Sequence, residues 1–461
     1  MKKISKYILL FVAAIAVTSC DDYLDIQPLG KVIPETLQDY RGVLTTGYVA
    51  YPDHKSITAV RTDELILDGD GDSEIPLYQD IYAWKDAGTD RRTMTFPYQN
   101  LYTVIFYTNV LINDAQGKLS NSPEKDQLIG EAYALRAMAY FDLINLFSKP
   151  FNPATSGSDK GVPLALKVDL EQTYPSQTVE AIYNQIISDT QEAESLLNLN
   201  TQPKGFNYRF SKAALYSLES RIYLYMQQWQ KSQDAANKAL AINNALVDLK
   251  ATPVLATKFD SKESILALEE NYDNGLKLLS YASDDLLAAY NRTTDLRFPI
   301  YFAANGSNFR IQKGANDDQK CSFRTSELYL IKAETSLKLN NLADAKTTVL
   351  TFIKNRYTAS GFTQLESEIA AMNAADLTTF ILAERQREFA VEGQRWYDLR
   401  RTTQKQIVHT FLSQNLYFDT KRSAIYYSST SKREIKQSQS ISYLLFFLKK
   451  VQLQNWAFFA F

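Results

Sequence analysis

Apolar positions recur at steps of three and four along much of the chain, and the strongest run lies near residues 124–147. In "QLIGEAYALRAMAYFDLINLF" the residues Leu128, Ala132, Leu135, Met138 and Phe141 follow that spacing, which predicts a helix over Glu124–Phe147. "PYQNLYTVIFYTNVLIND", Pro97–Asp114, is apolar nearly all round and predicts a buried helix. Thr36–Val49, Thr178–Leu197 and the segment from Ser211 onward carry helical patterns as well. Between them "SKPFNPATSGSDKGVPL" interrupts the period with proline, glycine and serine and reads as a long loop. Tyr51–Asp72 reads as loop with short extended pieces. From Asn244 to Lys320 the periodicity fades. Short helical pieces such as Asp284–Tyr290 alternate there with "NYDNG" and "AANGSN". Irregular loops on a rigid scaffold are a common place for recognition.

Two helical stretches align with each other without gaps. "SRIYLYMQQWQKSQDAANKAL" begins at Ser220 and "AETSLKLNNLADAKTTVLTFI" at Ala333. The alignment matches Ser220 with Ala333, Leu224 with Leu337, Trp229 with Leu342 and Ser232 with Ala345. A third copy begins at Ala137 and puts Leu146 in the Trp229 place. Small residues at helix crossings, with a bulky residue after a polar turn, form the pattern of tetratricopeptide helix pairs. A plain antiparallel bundle is the alternative. The units fall at about 97–150, 178–240 and 326–357, so they are not tandem.

The first residues follow a different rule. Lys2, Lys3 and Lys6 precede an apolar run, Ile8–Val17, that is too short to span a bilayer, and Thr18, Ser19 and Cys20 follow it. With Cys20 directly after small residues, the segment resembles a bacterial lipoprotein signal. That resemblance implies cleavage after residue 19, acylation of Cys20 and a lipidated tether over residues 20–35. A plain secretory signal or an uncleaved anchor is the alternative. More than one acyl chain is needed for lasting membrane attachment.

Composition narrows the function. The 461 residues are 45% hydrophobic, enough for a substantial core, and the net charge of −2 argues against nucleic acid as the main partner. Beyond Cys20 only Cys321 remains, so there is no disulfide framework, and His54 and His409 are the only histidines, with no zinc-type spacing. No cofactor is expected. With 29 Tyr, 24 Phe and 4 Trp, the chain is rich in side chains that suit large helical cores, wet interfaces or stacking on sugar rings.

Three stretches are candidates for chemistry. "DGDGDSE", Asp68–Glu74, alternates carboxylates. It lacks the glycine and the bidentate glutamate of a calcium loop at Ser73 and Gln79, so it reads as a solvated turn able at most to hold a weak cation near Asp68–Asp72. "AERQREFAVEGQRWYDLRR" places Glu384 and Glu388 on one helix face, as a glycosidase carboxylate pair might lie. Arginines surround them, however, and keep them ionised. Glu384, Arg385, Glu388, Glu392, Arg395 and Asp398 are therefore expected to form a structural ion-pair motif, with no catalytic residue. "LYQDIYAWKD" offers Tyr78, Tyr82 and Trp84 as stacking rings and Asp80 or Asp86 as hydroxyl acceptors. Tyr281, Tyr290, Tyr301 and Phe302 offer the same chemistry in the irregular region. Core packing is the competing role for all of these aromatics.

Several of these stretches, taken in order, resemble the SusD-like (RagB/SusD) outer-membrane nutrient-binding lipoproteins of Bacteroidetes. They are "CDDYLDIQPLGKV", "EAYALRAMAYFDLINLFSKPF" leading into "GVPLAL", "SKAALYSLESRIYLYMQQW", "TTDLRF", "SELYLIKAETSLKLNNLADA" and "ILAERQREFAVEGQRWYDLRR". The resemblance covers about Cys20–Arg401. It implies a mainly α fold of tetratricopeptide-like units beside an irregular region at about 244–320, together forming a body over 36–401. It also implies lipid anchorage on the outer face of the outer membrane, with Asp21 and Asp22 directing export to the surface. The expected partner is a SusC-like TonB-dependent β-barrel transporter, and the expected ligand is an oligosaccharide or peptide, bound without catalysis. A tetratricopeptide adaptor that binds proteins, or a glycoside hydrolase, are the rival readings. Residues 402–461 depart from the family: they contain no proline and end in the apolar "YLLFFLKKVQLQNWAFFAF", as a truncated or altered C-terminus would.

Overall fold

The computed structural model describes residues 34–68, 74–85, 92–168, 173–203, 205–314 and 318–419. The chain opens with α1 (Leu37–Val49), whose N-terminus is closed by a capping box between Thr36 and Asp39. The short helix α2 (Lys55–Val60) follows, within a stretch whose sequence reads as loop. All six of its residues are buried, including Lys55, Ser56 and Thr58. A helix covered on every side carries no amphipathic period, which is why the pattern does not disclose it. Strand β1 (Leu65–Leu67) and α3 (Ile75–Tyr82) lead to α4 (Tyr98–Val110).

The centre of the molecule is α5 (Pro123–Phe147), capped by Ser122, with Leu128, Ala132, Leu135, Met138 and Phe141 all in the core. Helix α6 (Val179–Leu196) packs along it and is capped by Thr178. The loop between them carries the paired strands β2 (Lys160–Pro163) and β3 (Ser176–Thr178). Polar side chains pin this loop. Tyr140 donates to the Ala165 carbonyl at 2.8 Å and Asn109 to the same oxygen at 3.0 Å. Arg136 grips Asp189 of α6 through two bonds of 2.8 and 2.6 Å and reaches Asn109 of α4 at 2.8 Å.

Two helix hairpins follow the repeat. α7 (Lys212–Tyr225) turns into α8 (Trp229–Ile242), and α9 (Thr325–Lys338) turns into α10 (Leu342–Ile353). The turns match atom for atom: Gln228 N–H donates to Tyr223 O at 2.9 Å, and Asn341 N–H to Ser336 O at 2.8 Å. This six-to-one bond is the Schellman closure, and it requires a left-handed residue one position earlier. Gln227 (φ 60°) and Asn340 (φ 58°) fill that place. Helix α8 packs on α9, so the two hairpins stack. The third copy behaves differently, because α5 continues to Phe147 with no turn before Leu146. Its partner α6 is reached only after the long loop.

Helices α11 (Ala359–Ala371), α12 (Ala374–Glu388) and α13 (Arg395–Arg401) complete the helical part. The irregular region holds antiparallel pieces: β4 (Ser264–Leu266) pairs with β8 (Phe323–Arg324), and β5 (Ser280–Ala282) pairs with β1. Strands β6 (Phe302–Asn305) and β7 (Asn308–Ile311) form a hairpin against β5. After α13 comes a second hairpin, β9 (Gln406–Phe411) with β10 (Gln414–Asp419). Cys20, Asp21, Asp22, Asp86, residues 69–73 of the acidic turn and the apolar tail lie outside the described residues. No helix among the described residues is long and apolar enough to cross a membrane.

The two turns give a paired test. A left-handed conformation costs a non-glycine residue roughly 1–2 kcal/mol, less for asparagine. Gln227→Gly is therefore expected to raise unfolding free energy by about 0.5–1 kcal/mol, and Asn340→Gly by less. Denaturant titration of the two variants checks both the sign and the order.

Candidate functional site

A buried lattice of charge stands where α12 ends. Glu388, fully buried, accepts from Arg356 at 2.9 and 3.0 Å, from Arg297 at 3.1 Å, and from Arg324. Arg324 also grips Glu392 with bonds of 3.0 and 2.8 Å, and Lys313 donates to Glu392 and to the Glu388 carbonyl. Glu384 accepts from Arg297 at 2.9 Å and from Arg387 at 3.0 and 2.8 Å. Asp295 backs Arg297, and Glu263 backs Arg356 at 2.7 Å. Outside this knot, Asp398 holds Arg385 at 2.8 Å and Arg401 at 2.9 Å, while Arg395 takes both oxygens of Asp63 at 2.8 Å.

These contacts decide the ionisation states. Burial works to raise each carboxyl, yet Arg297 and Arg387 hold Glu384 down at about 2, and Arg385 with Arg401 do the same for Asp398. Glu388 is likewise held well below the usual range against its burial by Arg356 and Arg324. A general acid needs a proton at working pH, and none of these groups keeps one. Glu64 is the opposite case: burial, then the neighbouring Asp63, push it up to about 8.

The aromatic candidates separate into two groups. Tyr78, Tyr82, Asp80, Tyr290 and Tyr301 are all buried, which corrects their reading as ligand-binding residues, because a covered ring offers no face to a sugar. Tyr78 donates to Asp273 at 2.8 Å, and Tyr290 donates to the Arg387 carbonyl at 2.6 Å. Asp80 accepts from Thr93, and the Tyr301 ring lies 4.1 Å from Lys313 Nζ. Tyr82 stacks on His409 at 3.9 Å, and Trp84 stacks on His409 at 4.1 Å and on Phe418 at 5.3 Å. Trp84, though half-buried, is thus occupied in clamping the β9–β10 hairpin, with its indole N–H on the Arg61 carbonyl at 3.1 Å.

Tyr281 is the candidate that reaches the surface. It lies on β5 opposite Ile66, and the Arg310 guanidinium sits 3.7 Å over its ring. Arg310 is fixed by the Leu278 and Ser280 carbonyls at 2.7 and 2.9 Å and by the Tyr281 hydroxyl at 2.7 Å. Asp68 stands 3.7 Å away. Ile66 and Leu278 beside the pair are exposed, as are Asn305 and Asn308 at the turn end of the β6–β7 hairpin that carries Arg310. A flat, half-exposed ring with a fixed guanidinium, a carboxylate and two amides offers stacking together with hydroxyl recognition.

Two further groups escaped the sequence reading. In "GFNYRF" before α7, Phe206 is 44% exposed, and Arg209 lies 4.5 Å over it and 5.1 Å over Tyr208. Alternate aromatic positions in a glycine-bounded loop were the available signal. Inside the molecule, His54, Asp142 and Glu269 bring nitrogen and carboxylate atoms within 4.8 Å of one another. Their wide separation along the chain gave no motif to read.

Comparison with known proteins agrees with this architecture. Residues 22–224 match the family model described as "Starch-binding associating with outer membrane", and residues 218–447 match that of the SusD family. A SusD-like protein of Formosa agariphila is 23% identical over 486 positions, spanning 87% of this chain and 92% of the relative. The solved structure of a SusD superfamily protein from Bacteroides thetaiotaomicron matches at TM-score 0.68 and 22% identity, over 84% of this chain and 92% of its own. A laminarin-binding SusD-like protein matches at TM-score 0.58 and 18% identity, over 79% and 91%.

The charge lattice and Glu64 predict opposite pH responses. Glu384 and Asp398 contribute stability above the ordinary carboxyl range that is lost as pH falls toward about 2, and the depressed Glu388 adds a contribution of the same sign. Glu388→Gln strands three arginines and is expected to cost about 3–5 kcal/mol. Glu64 contributes most below its ordinary 4.5, and that contribution is lost as pH rises to about 8. Glu64→Gln should therefore raise the melting temperature at pH 7.5 and leave it nearly unchanged at pH 4. Thermal melts of the three proteins across pH 3–8 check both signs.

Proposed function

The chain belongs to the SusD family, and from that premise we propose that it is a non-enzymatic cell-surface lipoprotein. In this reading it captures oligosaccharides and hands them to a SusC-like TonB-dependent β-barrel transporter. The lipid on Cys20 holds the body at the outer face of the outer membrane. The observation that carries the reading is the Tyr281–Arg310 platform, an aromatic face locked by four contacts beside exposed amides and a carboxylate. A sugar ring laid on such a surface gains stacking contact without ordering a flexible side chain, and in this reading Asp68, Asn305 and Asn308 supply the polar groups for its hydroxyls. The absence of a proton on Glu384 and Glu388 supports binding over hydrolysis.

Hand-over follows from ordinary binding equilibrium. A platform of one ring and a few polar groups gives modest affinity, so a bound glycan leaves readily when the barrel competes for it.

The test has two parts. Tyr281→Ala is expected to weaken binding of a recognised glycan roughly tenfold in affinity electrophoresis or calorimetry, with the melting temperature nearly unchanged. Unchanged affinity would move the site elsewhere on the surface. Pull-down from detergent-solubilised native membranes should recover a large β-barrel in near-equal amount. Recovery of other proteins without a barrel would favour the adaptor reading.

A further inference from the structure

His54 precedes α2, Asp142 lies on α5, and Glu269 follows β4, so three distant parts of the chain meet at one buried point. Nδ1 of His54 lies 3.3 Å from the Pro52 carbonyl. A carbonyl can only accept, so this contact places the ring proton on Nδ1 and leaves a lone pair on Nε2. That lone pair faces Asp142 Oδ2 at 3.5 Å, Glu269 Oε1 lies 3.7 Å from Nδ1, and one ligand atom from each of the three residues lies within 4.8 Å of the others. Acceptor facing acceptor in a buried site is repulsive unless a cation stands between them. The gap between Nε2 and Oδ2 is 3.5 Å. A metal with bonds of about 2.0–2.2 Å fits it well, since two ligands of one tetrahedral ion lie about 3.4 Å apart.

The surroundings match that occupant. The three side chains border a cavity of about 20 Å³ that Gln394 and Tyr397 also line, room for an ion and a coordinated water. The Tyr397 hydroxyl is buried without a hydrogen-bond partner. Tyr51 donates to Asp142 Oδ2 at 2.5 Å, and the Pro52 carbonyl orients the imidazole, the outer contacts that ligating side chains usually keep. Lys55 is drawn aside, onto the Cys321 carbonyl and to 3.8 Å from Glu269 Oε2, and Arg221 is engaged by Glu327 at 2.7 Å. Asp142 and Glu269 bring two negative charges to the site, of which Lys55 offsets part. We propose that His54, Asp142 and Glu269 form a binding site for a zinc-class divalent transition metal that cross-links the N-terminal segment, α5 and the irregular region.

The test uses the full mature chain without an oligohistidine tag, stripped by chelator and then given excess zinc, manganese, calcium or magnesium. Elemental analysis after desalting should find one zinc per chain. Zinc should raise the melting temperature by roughly 2–5 °C, reversibly with chelator, while calcium and magnesium leave it unchanged. His54→Gln and Asp142→Asn should each abolish uptake with an unaltered circular dichroism spectrum. Absence of zinc uptake by the wild-type chain would overturn the site and assign the gap to an imidazolium proton. Equal uptake by His54→Gln would also overturn it, by placing the metal elsewhere. Because wild-type uptake is read directly, a variant that fails to fold does not remove the test.

Discussion

Three guanidinium groups converge on the Glu388 carboxylate in a place that water does not reach, and much of the structure's order follows from meeting that demand. Removing a carboxylate from water costs several kcal/mol, and removing an arginine costs a similar amount. Each is tolerable only when every donor and lone pair finds a partner. Arg297 therefore needs Asp295 and Glu384, Arg356 needs Glu263, and Arg324 needs Glu392. Those partners come from β4's flank, the short helical turn near Phe298, β8, the end of α10 and the end of α12. The irregular region has little regular backbone pairing, and this charge lattice is what ties it to the helical repeats.

The helical half of that arrangement was legible in the sequence, because its causes are local. Thr36, Ser122, Thr178 and Ser211 cap helices at the places where the apolar period starts, and the Ser220/Ala333 alignment carried the turn geometry at Gln227 and Asn340 with it. α2 was not legible, since burial on all sides removes the contrast that marks a face. The dense charge of residues 384–401 announced ion pairing, but not its partners. Asp295, Arg297, Arg324, Arg356 and Glu263 are scattered through segments without periodicity, and only the tertiary fold brings them together. The aromatic candidates show the same limit: nothing in the spacing of Tyr78, Tyr82 and Tyr290 distinguishes them from Tyr281. The difference lies in burial, since Tyr78, Tyr82 and Tyr290 are packed into the core while Tyr281 lies half-exposed on β5.

Aromatic abundance serves two purposes here. Several tyrosines are internal struts whose hydroxyls satisfy buried backbone or carboxylate groups, as Tyr140 does for Ala165 and Tyr51 for Asp142. A few stand at the surface with an arginine over one face, at Tyr281 and at Phe206–Tyr208. An arginine stacked in this way stiffens the ring and also adds a donor edge, so recognition chemistry is built from the same residues that stabilise the interior. The Tyr82, His409, Trp84 and Phe418 stack belongs to the first purpose. It anchors the β9–β10 hairpin.

The charge lattice also has a consequence in time. Its members appear in the order Glu263, Asp295, Arg297, Lys313, Arg324, Arg356, Glu384, Glu388 and Glu392, so all three arginines that converge on Glu388 are synthesised before it. At about 5–20 residues per second, the growing chain holds these charges solvated for on the order of ten seconds. During that interval the second half has every reason to stay hydrated and open.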